Sequence, residues 1–255
     1  MTNVLGGRAV LGVVVPATNT AVEAEYNLMC PPGVTFHTGR IWIKDAALDS
    51  DESFDQFLVD LRDEIGKALR DVAQVQPDHL VMGMSAETFW GGVEGNREFE
   101  DSVREQTGMT LSTGAAGCLA ALKAYGGIRR IGIITPYQPI GDRNVRRYFT
   151  ELGYDVASVY GLKCPTAQSI ADVSAQELRD AFRAVDGDGV DALVQVGTNL
   201  PCAVVAAELE AELGKPVIAI NTASVWHALR SVGVTDSVKG FGALLEDHPA
   251  LPAQE

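Results

Sequence analysis

The sequence LGVVVPATNT at residues 11–20 has a counterpart, IGIITPYQPI, at residues 131–140. Each segment is a short apolar run that ends at a proline, which is typical of a buried strand followed by a turn. Two more pairs follow in the same order: DHLVMGMSAE (78–87) with DALVQVGTNL (191–200), and MTLSTGAAGCLAALKAYGG (109–127) with KPVIAINTASVWHALRSVG (215–233). Three matches in register indicate an internal duplication.

Strand-like and helix-like segments alternate through both halves of the chain. This alternation favours parallel sheets joined by right-handed helical crossovers. We therefore predict an α/β fold of two similar parallel-sheet lobes, related by a pseudo-twofold axis, with an active-site cleft between them. The predicted first lobe is residues 1–127, completed by the C-terminal segment 223–255, and the predicted second lobe is residues 128–222.

Composition limits the partners of the protein. The 255 residues include 34 acidic and 20 basic side chains, which gives a formal net charge of −14. Nucleic acids and anionic membranes bind clustered Lys and Arg, so we expect neither as a partner. No apolar run reaches the length of about 18 residues that indicates a transmembrane helix. The N-terminus also lacks the pattern of a secretory signal, and we expect a cytoplasmic homo-oligomer.

Cysteine and histidine spacing argues against a metal site. The four cysteines, at positions 30, 118, 164 and 202, form no CxxC pair, and the four histidines are equally scattered. Zinc sites normally show such local spacing. No glycine-rich nucleotide or phosphate loop follows the first predicted strand. We therefore expect the protein to use neither a metal nor another cofactor.

Polar residues follow several of the predicted strands. Ligands of parallel α/β sheets bind outside the carboxyl ends of the strands. Hydroxyl, amide and backbone N–H groups at those ends bind a carboxylate or an oxyanion without a counter-charge. Each such residue has a structural alternative, because Asn, Ser and Thr also cap helices. The predicted substrate-binding residues are Asn19, Thr20, Gly83, Met84, Thr198 and Asn199.

Ser85, Glu87, Tyr137 and Cys202 are the predicted catalytic residues. Glu87 lies in a predicted loop beside two aromatic residues, where the pKa of its carboxyl group would rise and suit acid–base chemistry. A capping or solvent-facing glutamate is the alternative. Cys202 lies at the start of a predicted helix, whose N-terminus would lower the pKa of the thiol. The alternative is a small buried side chain, which is common for free cysteine.

Two segments carry a resemblance to known proteins. VVVPATNTAVEAE (13–25) resembles the N-terminal motif of maleate cis-trans isomerases, and MGMSAETFW (82–90) resembles a loop of arylmalonate decarboxylases. Together with the duplication, ITPY (134–137) and KPVIAIN (215–221), they resemble the aspartate/glutamate racemase superfamily over residues 9 to about 235. The resemblance implies chemistry at a carbon next to a carboxylate. It also implies that Tyr137 contacts the substrate carboxylate.

The chain departs from that superfamily at two positions. The resemblance places cysteines where this sequence has Gly83 and Gly197. Thiols suit this chemistry because their pKa lies near working pH and the thiolate is a strong nucleophile. The resemblance implies an isomerase similar to maleate cis-trans isomerase, acting on a small unsaturated or α-substituted carboxylic acid, without both usual cysteines. An arylmalonate-type decarboxylase, an amide or ester hydrolase and a non-catalytic ligand-binding protein stay open as alternatives.

Overall fold

The computed structural model describes the backbone of residues 3–43 and 51–253, and their side chains outside residues 51–60. The first half contains β1 Ala9–Pro16, α1 Ala21–Leu28, β2 Val34–Ile41, α2 Asp51–Val72, β3 His79–Met82, α3 Ala86–Phe89, α4 Gly92–Thr107, β4 Leu111–Ser112 and α5 Gly114–Tyr125. The second half contains β5 Arg130–Thr135, α6 Pro139–Glu151, β6 Asp155–Gly161, α7 Ala175–Val185, β7 Ala192–Gln195, α8 Ala203–Leu213, β8 Val217–Ala219 and α9 Ile220–Ser231, and α10 Ala243–Asp247 follows.

The two halves share one sheet topology. The strand order is β2-β1-β3-β4 in the first sheet and β6-β5-β7-β8 in the second. All neighbouring strands run parallel. This repetition confirms the predicted α/β fold of two similar parallel-sheet halves. Within the described residues, no helix is both long enough and apolar enough to cross a membrane.

A repeated aspartate explains part of the sequence match between the halves. Asp78 precedes β3, and its Oδ2 accepts a hydrogen bond of 2.8 Å from the backbone N–H of Val10 in β1. Asp191 precedes β7, and its Oδ2 accepts bonds of 2.8 Å from the N–H groups of Arg129 and Arg130 at the start of β5. Each carboxylate therefore links the start of one strand to the start of the adjacent strand, β3 to β1 and β7 to β5.

One apolar core continues through both halves. It contains Val13 of β1 and Ile133 of β5, together with Cys118 of α5 and Trp226 of α9, all at most 1% exposed. Helix α9 packs against α5, β3 and α1. Helix α9 also packs against β8 and α8 of the second half, so the completion of the first lobe by the C-terminal segment stays a prediction. The lobe boundaries themselves stay a prediction, because the shared core joins the halves.

A row of polar side chains joins β3, β4 and α9. His79 Nε2 lies 2.7 Å from Ser112 Oγ, and Ser112 Oγ lies 2.6 Å from His227 Nδ1. His79 Nδ1 also lies 2.7 Å from Thr110 Oγ1. The pKa of both histidines falls to about 4, because burial lowers it and, for His79, the neighbouring His227 lowers it as well. Both rings are therefore neutral in the folded protein at pH 7.

We expect these histidines to make the folded state less stable in mild acid. Their folded pKa lies below the unfolded value, so the unfolded chain takes up protons first as the pH falls. Stability from this source is complete above pH 6.5 and is lost progressively toward about pH 4. Between pH 7.5 and 5.5 the loss is about 1 kcal/mol per histidine.

Urea unfolding of the wild type and of a His79→Asn, His227→Asn variant at both pH values measures this contribution. The comparison cancels the titration of carboxyl groups, which both proteins share. An equal pH dependence of the unfolding free energy in the two proteins would contradict the prediction.

Candidate active site

A cavity lies between the halves at the carboxyl ends of six strands, β1, β2, β3, β5, β6 and β7. This is where the duplicated sequence predicts a cleft. Among the described residues, none that lines the cavity is charged. The lining residues are Pro16, Thr18, Asn19, Ile43, Met84, Ser85, Ala86, Pro136, Tyr137, Gln138, Cys164, Thr166, Ala167, Ile170, Gly197, Thr198 and Asn199.

Three hydrogen-bonding groups meet in this cavity from both halves. Ser85 Oγ, just after β3, lies 2.6 Å from Tyr137 Oη, which follows β5. The backbone N–H of Thr198, after β7, donates to Ser85 Oγ over 3.2 Å. Burial raises the pKa of Tyr137, so its hydroxyl keeps its proton at neutral pH. We call Ser85 Oγ, Tyr137 Oη and Thr198 N–H the donor cluster.

Thr198 is bonded through its backbone and its side chain to other parts of the site. Its Oγ1 donates to the Gly83 carbonyl over 2.9 Å and accepts a bond of 3.3 Å from Asn19 Nδ2. Its own carbonyl accepts a bond of 2.9 Å from Asn221 Nδ2. These bonds fix the loop after β7 against the loops after β1 and β3. The donor cluster is therefore held in place before any ligand arrives.

Two asparagines hold the start of α1. Asn19 Oδ1 accepts bonds of 3.1 Å and 2.9 Å from the N–H groups of Ala21 and Val22. Asn199 Oδ1, from the other half, accepts a bond of 2.9 Å from the Thr20 N–H. The helix-capping alternative therefore holds for Asn19, although both asparagines also line the cavity. Their side chains join the two halves beside the donor cluster.

The other predicted substrate-binding residues divide into two groups. Met84 lines the cavity, whereas Gly83 and Thr20 do not appear in its lining. Gly83 contributes its carbonyl as the acceptor for Thr198 Oγ1. Thr20 is exposed, and its side chain makes no capping hydrogen bond to α1. The structure thus brings together Asn19, Met84, Ser85, Tyr137, Thr198 and Asn199 and leaves these two outside the cavity surface.

Glu87 does not join the donor cluster, contrary to the prediction. It belongs to helix α3 rather than to a loop, and its Oε1 accepts a bond of 2.9 Å from Arg62 Nε on α2. It lines a second cavity beside α2 and α4 together with Trp90. Phe89 packs in the core against Tyr148. The reason is helical geometry: residues two apart in a helix point to nearly opposite sides, so Ser85 and Glu87 diverge.

Cys202 does not line the cavity either. Its side chain is fully buried at the start of α8. Burial raises the pKa of the thiol well above its ordinary value, and the carboxylate of Glu25 raises it further. Glu25 itself accepts bonds from the Ala203 N–H (2.9 Å) and Asn221 Nδ2 (2.7 Å). The predicted lowering by the helix N-terminus is wrong because desolvation and this carboxylate outweigh it.

Cys164 is a cavity residue that the sequence analysis missed. It lies in the segment after β6, which also contributes Thr166, Ala167 and Ile170 to the lining. The rule that ligands bind beyond the carboxyl ends of parallel strands applies equally to β6. Cys164 itself precedes a proline in a loop, and no motif surrounds it in the sequence. Within the described residues, including those of the cavity, no group of three or more His, Cys, Asp or Glu side chains could hold a metal ion.

The two positions at which the resemblance implies cysteines are closed to side chains. A Cβ at Gly83 would lie 2.4 Å from Val15 Cγ1 and 3.1 Å from Val22 Cγ1. A Cβ at Gly197 would lie 2.4 Å from Pro136 Cδ, and Gly197 has φ +115°. Neither a β-branched side chain nor a proline ring has a flexible end that can move away. The packing around both positions is thus built for glycine.

We expect Gly83→Ala and Gly197→Ala each to lower the free energy of unfolding by about 1–3 kcal/mol, because overpacking forces neighbours to move. The cysteine variants at the same positions should be no more stable than the alanine variants. Gly187→Ala is the control, since a Cβ there meets nothing within 4 Å. Chemical denaturation measures all five variants. Full stability of Gly83→Ala or Gly197→Ala would show that the position is open.

The fold and the site define a duplicated α/β protein with a cavity of neutral donors between its halves. The family model for arylmalonate decarboxylase matches residues 11–245. The chain therefore belongs to the arylmalonate decarboxylase family, within the aspartate/glutamate racemase-like superfamily.

Sequence relatives include three maleate isomerases, two of which are compared below. The one from Pseudomonas putida is 25% identical over 249 residues, which cover 92% of this chain and 96% of that protein. The one from Geobacillus stearothermophilus is 24% identical over 255 residues, with the same coverage of 92% and 96%. The match is therefore to whole proteins and not to a shared fragment.

Solved structures of other proteins have the same fold as this chain. The maleate cis-trans isomerase of Nocardia farcinica bound to TRIS matches with a TM-score of 0.84 and 23% identity, covering 93% of this chain and 97% of that chain. A crystal structure of arylmalonate decarboxylase matches with a TM-score of 0.71 and 21% identity, covering 92% and 98%. At these identities the likeness establishes the shared architecture.

Proposed function

We propose that this protein is a cofactor-independent enzyme that acts on a small unsaturated or α-substituted carboxylic acid, in the manner of a maleate cis-trans isomerase. The observation that carries the proposal is the donor cluster, which draws Ser85 from one half and Tyr137 and Thr198 from the other. The maleate isomerases that match nearly the whole chain support the same reaction class.

Neutral hydrogen-bond donors suit a reaction in which negative charge moves from one group of the substrate to another. A carboxylate that becomes an enediolate gains charge on its oxygens, and fixed hydroxyl and N–H groups stabilise that charge more than they stabilise the ground state. A buried cation would bind both states strongly, whereas no charged side chain is present in the described lining. The hydrogen bonds around Thr198 hold the donors in place, so little reorganisation is needed during the reaction.

Decarboxylation of a malonate-type diacid is the second candidate. Such a reaction needs no general base, because the electron pair comes from the carbon–carbon bond that breaks. Among the described residues that line the cavity, there is no His, Asp, Glu or Lys that could act as a base. Ile43, Met84 and Ile170 give part of the lining an apolar surface for the leaving carboxylate, which loses its charge as CO₂. The family assignment supports this candidate.

A hydrolase is less well supported. Ser85 is paired with the neutral Tyr137 hydroxyl rather than with a histidine or carboxylate that could take its proton. A non-catalytic binding protein would use the same donors, and turnover alone separates it from an enzyme. The homo-oligomer, the cytoplasmic location and the absence of a cofactor stay predictions.

We expect Ser85→Ala and Tyr137→Phe each to lower kcat by about 10²–10³-fold, the cost of removing one preorganised oxyanion donor. Both variants should still fold, with a loss of unfolding free energy of at most about 1–3 kcal/mol, the cost of leaving a buried hydrogen-bonding partner unpaired. Maleate-to-fumarate conversion and CO₂ release from phenylmalonate, both followed by NMR, measure the two candidate reactions.

Ser231→Ala and Tyr160→Phe are matched controls that delete hydroxyls outside the cavity, and both should keep wild-type rates. The Ser231 side chain is exposed, and Tyr160 is 45% exposed. If the wild type converts either compound and the Ser85 and Tyr137 variants keep full activity, the donor cluster is not the catalytic site. If the wild type binds these acids without converting them, the binding-protein alternative gains support instead.

A further inference from the structure

Among the described residues that line the cavity, the titratable side chains are those of Tyr137 and Cys164. Tyr137 is engaged with Ser85 Oγ at 2.6 Å as part of the donor cluster. The other three cysteines are elsewhere: Cys118 and Cys202 are fully buried and do not line the cavity, and the Cys30 thiol donates to the Val34 carbonyl over 3.1 Å. Cys164 is thus the one thiol in the described chain that reaches the same space as the donor cluster.

Hydrogen bonds join the backbone of Cys164 to the residues before and after Tyr137. The Cys164 N–H donates to the Pro136 carbonyl over 2.9 Å, and Gln138 Nε2 donates to the Cys164 carbonyl over 3.4 Å. These two bonds fix the position of the Cys164 backbone relative to the segment that follows β5. Lys163, immediately before it, has φ +53°, a left-handed conformation that residues other than glycine seldom adopt. Such a conformation persists where the surrounding structure holds the loop in one arrangement.

We propose that Cys164 is the catalytic thiol of this cavity and that it gives its proton to the carbon next to the carboxylate held by the donor cluster. This inference rests on the proposed function and adds the residue that completes it. The thiol comes from the loop after β6, whereas the resemblance places cysteines after β3 and β7, where Gly83 and Gly197 leave no room for a side chain. The reaction requires a fixed position for the carboxylate as well as a thiol, and the donor cluster provides that position.

The step balances in both candidate reactions. In decarboxylation the carbon–carbon bond breaks to release CO₂, and its electron pair forms the enediolate. The S–H bond of Cys164 then breaks, the proton forms the new C–H bond, and the sulfur keeps its electron pair until water reprotonates it. In isomerisation the S–H bond adds across the double bond, and elimination after rotation about the resulting single bond restores the thiol.

The protonation state of the Cys164 thiol is the one that a proton donor needs. Burial raises the pKa of Cys164, so the group carries its proton at neutral pH. Cys30 has the same features without the cavity: it is also partly buried, it also precedes a proline, and burial also raises its pKa. This likeness makes Cys30 a matched control within the same molecule.

Alkylation with iodoacetate and iodoacetamide tests the placement without knowledge of the substrate. The two reagents share one electrophilic carbon, but only iodoacetate carries a carboxylate for the donor cluster. We expect the ratio of iodoacetate to iodoacetamide rates, measured by peptide mass spectrometry, to be at least about tenfold higher at Cys164 than at Cys30. Succinate should slow the iodoacetate reaction at Cys164 and leave Cys30 unaffected. Ser85→Ala should abolish the difference in ratio between the two cysteines.

Equal ratios at the two cysteines in the wild type would overturn the proposal, because Cys164 would then not face a held carboxylate. A ratio at Cys164 that stays high in Ser85→Ala would overturn it too, since another group would be holding the reagent. These outcomes do not depend on turnover, so they stay informative even if the proposed reaction is wrong.

Kinetics on the compound that the wild type converts provide the second test. Cys164→Ser and Cys164→Ala should lower kcat by at least about 10²-fold, with KM changed less than about threefold, because the donor cluster still binds the carboxylate. Cys30→Ser should keep the wild-type rate. Wild-type kcat in either folded Cys164 variant would overturn the proposal, while absence of turnover in the wild type would count against the proposed function itself.

Discussion

The site depends on how Thr198 is held between the two halves. Its N–H reaches Ser85, its hydroxyl bridges Gly83 and Asn19, and its carbonyl accepts from Asn221. Thr198 is only 4% exposed, so an unpaired polar group there would cost about 1–3 kcal/mol. The loops after β1, β3 and β7 therefore cannot separate without leaving buried groups unsatisfied. The same bonds that join the halves also orient the donor cluster.

Duplication explains why such a site can be assembled from neutral groups. Each half brings the carboxyl ends of parallel strands, with their free N–H groups and hydroxyl side chains, to one face. Two such faces opposite each other surround one cavity with hydrogen-bond donors. Buried Glu25 lies behind this surface, where it accepts from the start of α8 and from Asn221. Its carboxyl group thereby stays out of the cavity lining, and it holds Asn221, whose Nδ2 also donates to the Thr198 carbonyl.

Much of this arrangement could be predicted from the sequence because strand-end position is a local property. Ser85, Tyr137 and Thr198 each lie two or three residues beyond the end of a strand, and all three line the cavity. Glu87 and Cys202 could not be placed in the same way. The direction of Glu87 depends on one turn of α3, and the environment of Cys202 depends on burial against Glu25 from the other half. The contact of Cys202 with Glu25 is a tertiary effect that local sequence does not contain, and a single helical turn is too short to give a periodic sequence pattern.

A crystal structure of the protein with succinate tests the central claim most directly, namely that neutral donors from both halves bind the carboxylate of the substrate. The account predicts carboxylate oxygens within hydrogen-bonding distance of Ser85 Oγ, Tyr137 Oη and the Thr198 N–H, with the adjacent carbon facing the Cys164 thiol. A carboxylate bound instead to Arg62 in the cavity beside α2 and α4, with the space between the halves empty, would contradict it.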